Sequence, residues 1–253
     1  MILLIISLII FTAFVKNSTK KIEDKIFVSQ ENLRLFKKEL ENIKDSFSRI
    51  SEIVYKTPVL SSISINKALK ADITFKAECL QETGSFKLRG ASSAISVLSK
   101  EEKSRGVVAF SSGNHAQGIA YASRELGTSA KIVMPSDAPK IKIRKTQEYG
   151  AEVIFYDRDE DNREEIGFSI AMEEGRKLIK PFDDLNVIYG QGTAALEVMD
   201  EVDTKFDMSV VCCSGGGLAA GTGMVLKNSL IDCQLYTAEP KDWNDHEKSF
   251  LQN

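Results

Sequence analysis

Residues 106–126 read GVVAFSSGNHAQGIAYASREL, and this stretch decides the fold. VVAF is a short run of β-branched and aromatic type, with Gly106 before it and two serines and a glycine after it, which predicts a buried strand. NHAQGIAYASREL then reads as a helix that opens directly from the loop. Working outward, the same order recurs: ADITFKAE before FKLRGASSAISVL, AKIVM before APKIKIRKTQEY, and AEVIFY before a polar helix that is expected to end near Lys180. Further on, MSVVCC precedes the GGGLAAGTGMVL stretch, and QLYTAE lies close to the end. Upstream, Ser29 can cap a helix whose Leu33, Phe36, Leu40, Ile43 and Phe47 are spaced three or four apart. Repeated strand-then-helix order predicts the α/β class, with two parallel-sheet domains and helices on both faces. In such sheets ligands sit at the carboxyl ends of strands, where the amides of the following helix point outwards.

Composition narrows the function. The 253 residues hold 33 Lys and Arg against 36 Asp and Glu, a formal charge of -3, so no basic surplus exists to neutralise a phosphate backbone and nucleic acid is excluded as a partner. Cys79, Cys212, Cys213 and Cys233 form no CxxC pair. They read as reduced thiols of a cytoplasmic protein.

The amino terminus stands apart. Met1–Val15 is an uncharged apolar run followed by Lys16, Lys20, Lys21 and Lys25. As a helix it would span about 22 Å, short of the roughly 30 Å hydrocarbon core. Three readings stay open: a weak membrane anchor, a start site assigned too far upstream, and a signal peptide, which the charges following rather than preceding the run disfavour. An anchor in this orientation keeps the body of the protein in the cytoplasm.

Three segments could carry chemistry. In GSFKLRG, Gly84–Gly90, Lys87 stands at the opening turn of a helix, where the positive end of the dipole disfavours its ammonium and favours the free amine of Schiff-base chemistry; the alternative is one solvated lysine among many. In SSGNHAQG, Ser111–Gly118, two hydroxyls, a carboxamide, an imidazole and free amides make a cradle for a carboxylate, although Ser112 as a cap and Asn114 as a turn residue read equally well. His115 and His246 lack metal-ligand spacing. In SGGGLAAGTG, Ser214–Gly223, glycines after a strand leave amides bare for a phosphate. Gly215, Gly217 and Ala220 meet the loose GxGxxA dinucleotide pattern, but the loop lies late in the chain rather than at the first βα turn and no acidic residue is well placed after it, so a nicotinamide-dependent enzyme is disfavoured.

A lysine, an anion cradle and a phosphate loop are the parts that hold an aldehyde cofactor and an amino acid. With KTPVL at Lys56, ETGSFKLRG at Glu82, SSGNHAQG at Ser111, GQGTAALE at Gly190 and SGGGLAAG at Ser214, the chain resembles the pyridoxal-phosphate (PLP) enzymes of fold type II, the tryptophan synthase β-like superfamily, in its threonine/serine dehydratase and serine racemase branch. The resemblance runs from about Leu33 to the carboxyl terminus.

That resemblance implies roles. Lys87 would bond the cofactor aldehyde and later act as the base at the substrate α-carbon, and Phe86 would pack on the pyridine ring. Asn114 would bond the ring hydroxyl, Ser111, Asn114 and His115 would receive the substrate carboxylate, and Ser214, Gly215, Gly216, Gly217 and Leu218 would hold the 5′-phosphate. Ser112 matches the serine that exchanges the proton on the opposite face in racemases. Glu239, the Trp243 carbonyl and Asp245 match a divalent-cation site for magnesium or calcium, with ordinary surface carboxylates as the alternative. The activity implied is an ammonia-lyase producing pyruvate or 2-oxobutanoate from L-serine or L-threonine, or else a serine racemase, or an inactive truncated homologue. Members of the family continue beyond Asn253, so the large domain is expected to be incomplete. The expected organisation is an extension over 1–28, a large domain from 29–105 and 185–253, and a small domain over 106–184. Homodimers are implied for the full-length form.

Overall fold

The computed structural model of the protein describes residues 12–16, 30–203, 205–229 and 232–252. In chain order the first elements are β1 (Thr12–Lys16), α1 (Gln30–Ile50), β2 (Val59–Ser61), α2 (Ile63–Leu69), β3 (Asp72–Lys76), α3 (Lys87–Ser96) and α4 (Lys100–Arg105). Next come β4 (Val107–Phe110), α5 (Asn114–Glu125), β5 (Ala130–Pro135), α6 (Lys140–Glu148), β6 (Glu152–Tyr156), α7 (Arg163–Glu174) and β7 (Lys177–Leu178). The last are α8 (Leu185–Glu201), β8 (Met208–Cys212), α9 (Gly217–Ser229), β9 (Gln234–Ala238) and α10 (Asp245–Gln252).

Four strands in the order β6-β5-β4-β7 make a wholly parallel sheet, and five in the order β2-β3-β1-β8-β9 make a mixed one. The α/β class holds, but the larger sheet is parallel only between β8 and β9. β2 meets β3 antiparallel because residues 62–71 carry only the short helix α2, none of whose residues is buried, and a parallel crossover needs a dozen residues or more. The helix expected to run to about Lys180 ends at Glu174. Gly175 caps it in the left-handed conformation, φ 64°, and turns the chain into β7 beside β4.

The described end of the apolar leader is a strand. Thr12–Lys16 lies between β3 and β8 and pairs antiparallel with both, Ala13 facing Phe75 on one edge and Val210 on the other. Neighbouring strands therefore satisfy the backbone groups that a bilayer segment must satisfy within a helix. Residues 1–11 and the expected cap Ser29 lie outside the described residues. Among the described residues no helix is long and apolar enough to cross a membrane.

The largest apolar cluster joins α3, α5, β4 and β5 through Leu88, Ile95, Val107, Ile119, Ile132 and Met134, all wholly buried, each side chain contributing roughly 1.5–3 kcal/mol on removal from water. On α1 the helical spacing is realised with Ile43, Ser46 and Ile50 buried. Helix α3 is buried from Leu88 to Ile95 and crosses α8 where a methyl group on Gly190 would overlap the Arg89 carbonyl. Glycine there lets two helix backbones touch, which explains one of the quoted motifs and holds Lys87 against the core.

Candidate cofactor and active site

Lys87 opens α3 beside the loop that leaves β8. Its ammonium donates to the Pro181 carbonyl at 2.7 Å and lies 5.3 Å from the centre of the Phe86 ring. Burial lowers its pKa from 10.5 to about 8. Phe86 is buried among Val211, Cys213, Leu218 and Ala219, so the lysine and the glycine loop are neighbours in space.

The loop itself is shaped by absent side chains. Ser214 to Gly216 join β8 to the first turn of α9, and Gly216 has φ 81°, a conformation that glycine adopts without strain. A methyl group on Gly215 would overlap the Phe182 ring, and one on Gly217 would stand 3.1 Å from the Phe182 carbonyl. Pro181 and Phe182 thus lie between the lysine and the loop. Neither was singled out from the sequence, and no pattern there marks them.

At the end of β4, the Ser111 hydroxyl accepts from the Gly113 amide at 3.2 Å, Ser112 is half-buried beside it, and Asn114 and His115 begin α5. His115 is buried, with Nε2 3.3 Å from the Ile179 carbonyl; a carbonyl only accepts, so Nε2 carries the proton. Burial first, then the charge of Lys87, lowers its pKa to about 3, which keeps the ring neutral. His115 Nδ1, Thr83 Oγ1 and Ser85 Oγ are buried with no hydrogen-bond partner among the described residues. Asn114 Oδ1 accepts from Lys142 Nζ at 2.6 Å.

Behind α3 lies a charge network that the sequence reading did not identify. Arg89, wholly buried, bonds Glu78 at 2.8 Å and Glu197 at 2.7 Å, while Lys76 meets Glu197 at 2.6 Å and Thr57 donates to Glu78 at 2.6 Å. Burial alone would raise the Glu78 carboxyl, but the Arg89 guanidinium holds it below its ordinary value. Thr57, Arg89 and Glu197 come from KTPVL, GSFKLRG and GQGTAALE, so three of the quoted motifs converge on one network. The available signal was a set of charged residues inside otherwise apolar segments.

The expected cation site is not assembled. The Glu239 carboxylate accepts from the backbone amides of His246 at 3.4 Å and Glu247 at 3.2 Å, capping α10, while Trp243 is exposed and Asp245 faces Lys248 at 4.0 Å. Among the described residues no group of three or more His, Cys, Asp or Glu could hold a metal ion.

A lysine whose pKa is lowered towards neutrality, a glycine cradle that side chains would fill, and buried polar atoms without partners among the described residues fit a phosphorylated aldehyde, and define an α/β enzyme of the lysine-linked cofactor class. Comparison with known proteins agrees. Residues 50–253 match the family described as pyridoxal-phosphate dependent enzyme, and the chain belongs to it. It is 43% identical over 210 residues to serine racemase of Schizosaccharomyces pombe, covering 83% of this chain and 65% of that protein. It is 46% identical over 209 residues to L-threo-3-hydroxyaspartate ammonia-lyase of Saccharomyces cerevisiae, covering 83% and 64%. The crystal structure of serine racemase from Dictyostelium discoideum superposes with a TM-score of 0.80 at 41% identity, over 84% of this chain and 69% of that one. The chain therefore spans just under two thirds of the length of these two curated relatives.

Proposed function

We propose that the protein is a PLP-dependent ammonia-lyase of small β-hydroxy amino acids, converting L-serine or L-threonine to pyruvate or 2-oxobutanoate and ammonia. The observation that carries this reading is Lys87: half-buried, its pKa lowered to about 8, and held by a single carbonyl beside the glycine loop. Lys87 would carry the cofactor aldehyde, and its free amine would take the α-proton. Phe86 would pack on the ring, Asn114 would donate to the ring oxygen, and Ser214 to Leu218 would hold the phosphate. When bound, the cofactor supplies an electron sink for the pair left on the α-carbon. Ser111, Asn114 and His115 would orient the substrate carboxylate, His115 through its backbone amide because its neutral ring offers only an acceptor there, and the buried setting would exclude water. The small domain would span 106–184 and the large one the flanking segments. A cytoplasmic setting is supported by four free cysteines, and a homodimer by the resemblance alone.

Racemisation is the second reading, favoured by Ser112 in the SSGN loop and by the similarity to serine racemases. The experiment is to load the protein with PLP and supply L-serine, L-threonine and L-threo-3-hydroxyaspartate. Keto acid is measured by reduction and D-serine by chiral chromatography, with Lys87→Ala as control. Keto acid that depends on Lys87 supports the lyase. D-serine as the main product replaces it with the racemase, and no turnover of any of the three refutes both.

A further inference from the structure

The half-buried ammonium of Lys142, on the first turn of α6, faces two carboxamides of α5. Nζ lies 2.6 Å from Asn114 Oδ1 and 3.4 Å from Gln117 Oε1. An ammonium has three donors and no acceptor, so each amide must turn its oxygen towards it. That choice fixes which atoms remain. Asn114 Nδ2 makes no hydrogen bond to the described residues, and Gln117 Nε2 is buried without an acceptor. No carboxylate of the described residues lies within ion-pair distance of Lys142, and burial followed by the neighbouring Lys145 lowers its pKa. A cation without a counter-ion beside amides that can only donate is a set built for an anionic oxygen.

We propose that Lys142 is a positioning residue of the site: by fixing the Asn114 carboxamide with its oxygen turned away, it presents Nδ2 as a donor to the cofactor's ring oxygen and favours that oxygen as the anion. This rests on the cofactor reading above and deepens it. Without Lys142 the amide loses the contact that fixes its orientation and can turn its own oxygen towards the ring oxygen, and the local positive charge is gone.

The test uses the PLP-loaded protein and its absorbance spectrum, in which the visible Schiff-base band reports the ring oxygen as anion and the near-ultraviolet band reports it protonated. Lys142→Met is expected to raise the dissociation constant for PLP about tenfold, the equivalent of one hydrogen bond to a charged group, and to move intensity from the visible to the near-ultraviolet band. Lys142→Arg, which keeps donor and charge, is expected to restore both. In an Asn114→Ala background the Met substitution is expected to change both by much less, the remainder being the lost positive charge alone. Wild-type affinity and band ratio in Lys142→Met overturns the proposal, as does an undiminished effect in the Asn114→Ala background. Should Lys142→Met not fold, as judged by circular dichroism, a Lys142→Arg spectrum shifted like that of Lys142→Gln overturns it equally. Borohydride labelling of Lys87 in the wild type separates the two layers: no label refutes the cofactor reading itself, whereas label with an unchanged Lys142→Met spectrum refutes only the role of Lys142.

Discussion

Replacing Lys87 by methionine should make the cofactor-free protein more stable. Holding an ammonium at a pKa of about 8 rather than 10.5 costs the folded state about 3 kcal/mol while the group is charged. Lys87→Met removes that penalty but leaves the Pro181 carbonyl without its donor, at a cost of about 1.5 kcal/mol, so the variant is expected to gain about 1 to 2 kcal/mol at pH 7, methionine filling a similar volume without a charge. The sign with pH follows from linkage. Between about pH 8 and 10.5 the unfolded chain keeps the proton that the folded chain has released, so wild-type stability rises with pH in that window, by up to about 1.4 kcal/mol per pH unit from this group. Below pH 8 both states are protonated and the penalty is constant. Urea unfolding of the two proteins without PLP, at pH 7 and at pH 9.5, reads the effect as a gap that favours the methionine variant and narrows at the higher pH. A gap of the same size at both values, or a methionine variant less stable at pH 7, refutes the claim that burial of Lys87 is what lowers its pKa.

Other expectations follow from the same geometry. Arg89→Met leaves Glu78 and Glu197 buried without their shared partner, and should cost at least about 3–5 kcal/mol, seen as a large drop in Tm or as loss of soluble protein. Gly215→Ala drives a methyl group into the Phe182 ring, so PLP binding should weaken while far-ultraviolet circular dichroism is retained, and adding Phe182→Ala should recover part of the affinity. If the loaded protein forms D-serine, Ser112→Ala should abolish that product and spare most keto-acid formation; unchanged D-serine removes Ser112 from proton exchange.

The strands β3, β4, β5, β6 and β8 were legible because each is a short apolar run stopped by polar or glycine-rich sequence, and the site loops were legible because they follow such stops. β1 was not. Its residues end an apolar run with no period-two alternation, so nothing local separates a strand paired on both edges from a membrane segment. β7 holds two residues and is defined only by pairing with β4. The Arg89 network escaped because its members are scattered from Thr57 to Glu197 and meet only through tertiary packing. Lys87 was found by its place at a helix start, yet the cause of its lowered pKa, burial, depends on chain that returns from Pro181. Glu239 was read as a metal ligand because it, the Trp243 carbonyl and Asp245 match a cation site of the family the chain resembles; its oxygens go instead to the amides of α10.

The segment from Ile179 to Asp184 connects these observations. It leaves the parallel sheet after β7 and enters α8, whose first turn Asp184 caps by accepting from the Asn186 and Val187 amides. Along the way its Ile179 carbonyl fixes the proton on His115, its Pro181 carbonyl holds Lys87, and its Phe182 ring covers Gly215. Three groups from three separate loops therefore take their geometry from six residues of crossing chain. Each link uses a main-chain carbonyl or a ring face and none uses a formal anion, which matters for the chemistry. An ion pair at Lys87 would raise its pKa and hold the proton, whereas one carbonyl in a buried setting leaves the amine able to exchange that bond for another. A carboxylate at position 182 should therefore raise the pKa of Lys87 towards its ordinary value and slow its reaction with an aldehyde at neutral pH, an effect readable from the pH dependence of PLP incorporation in Phe182→Asp.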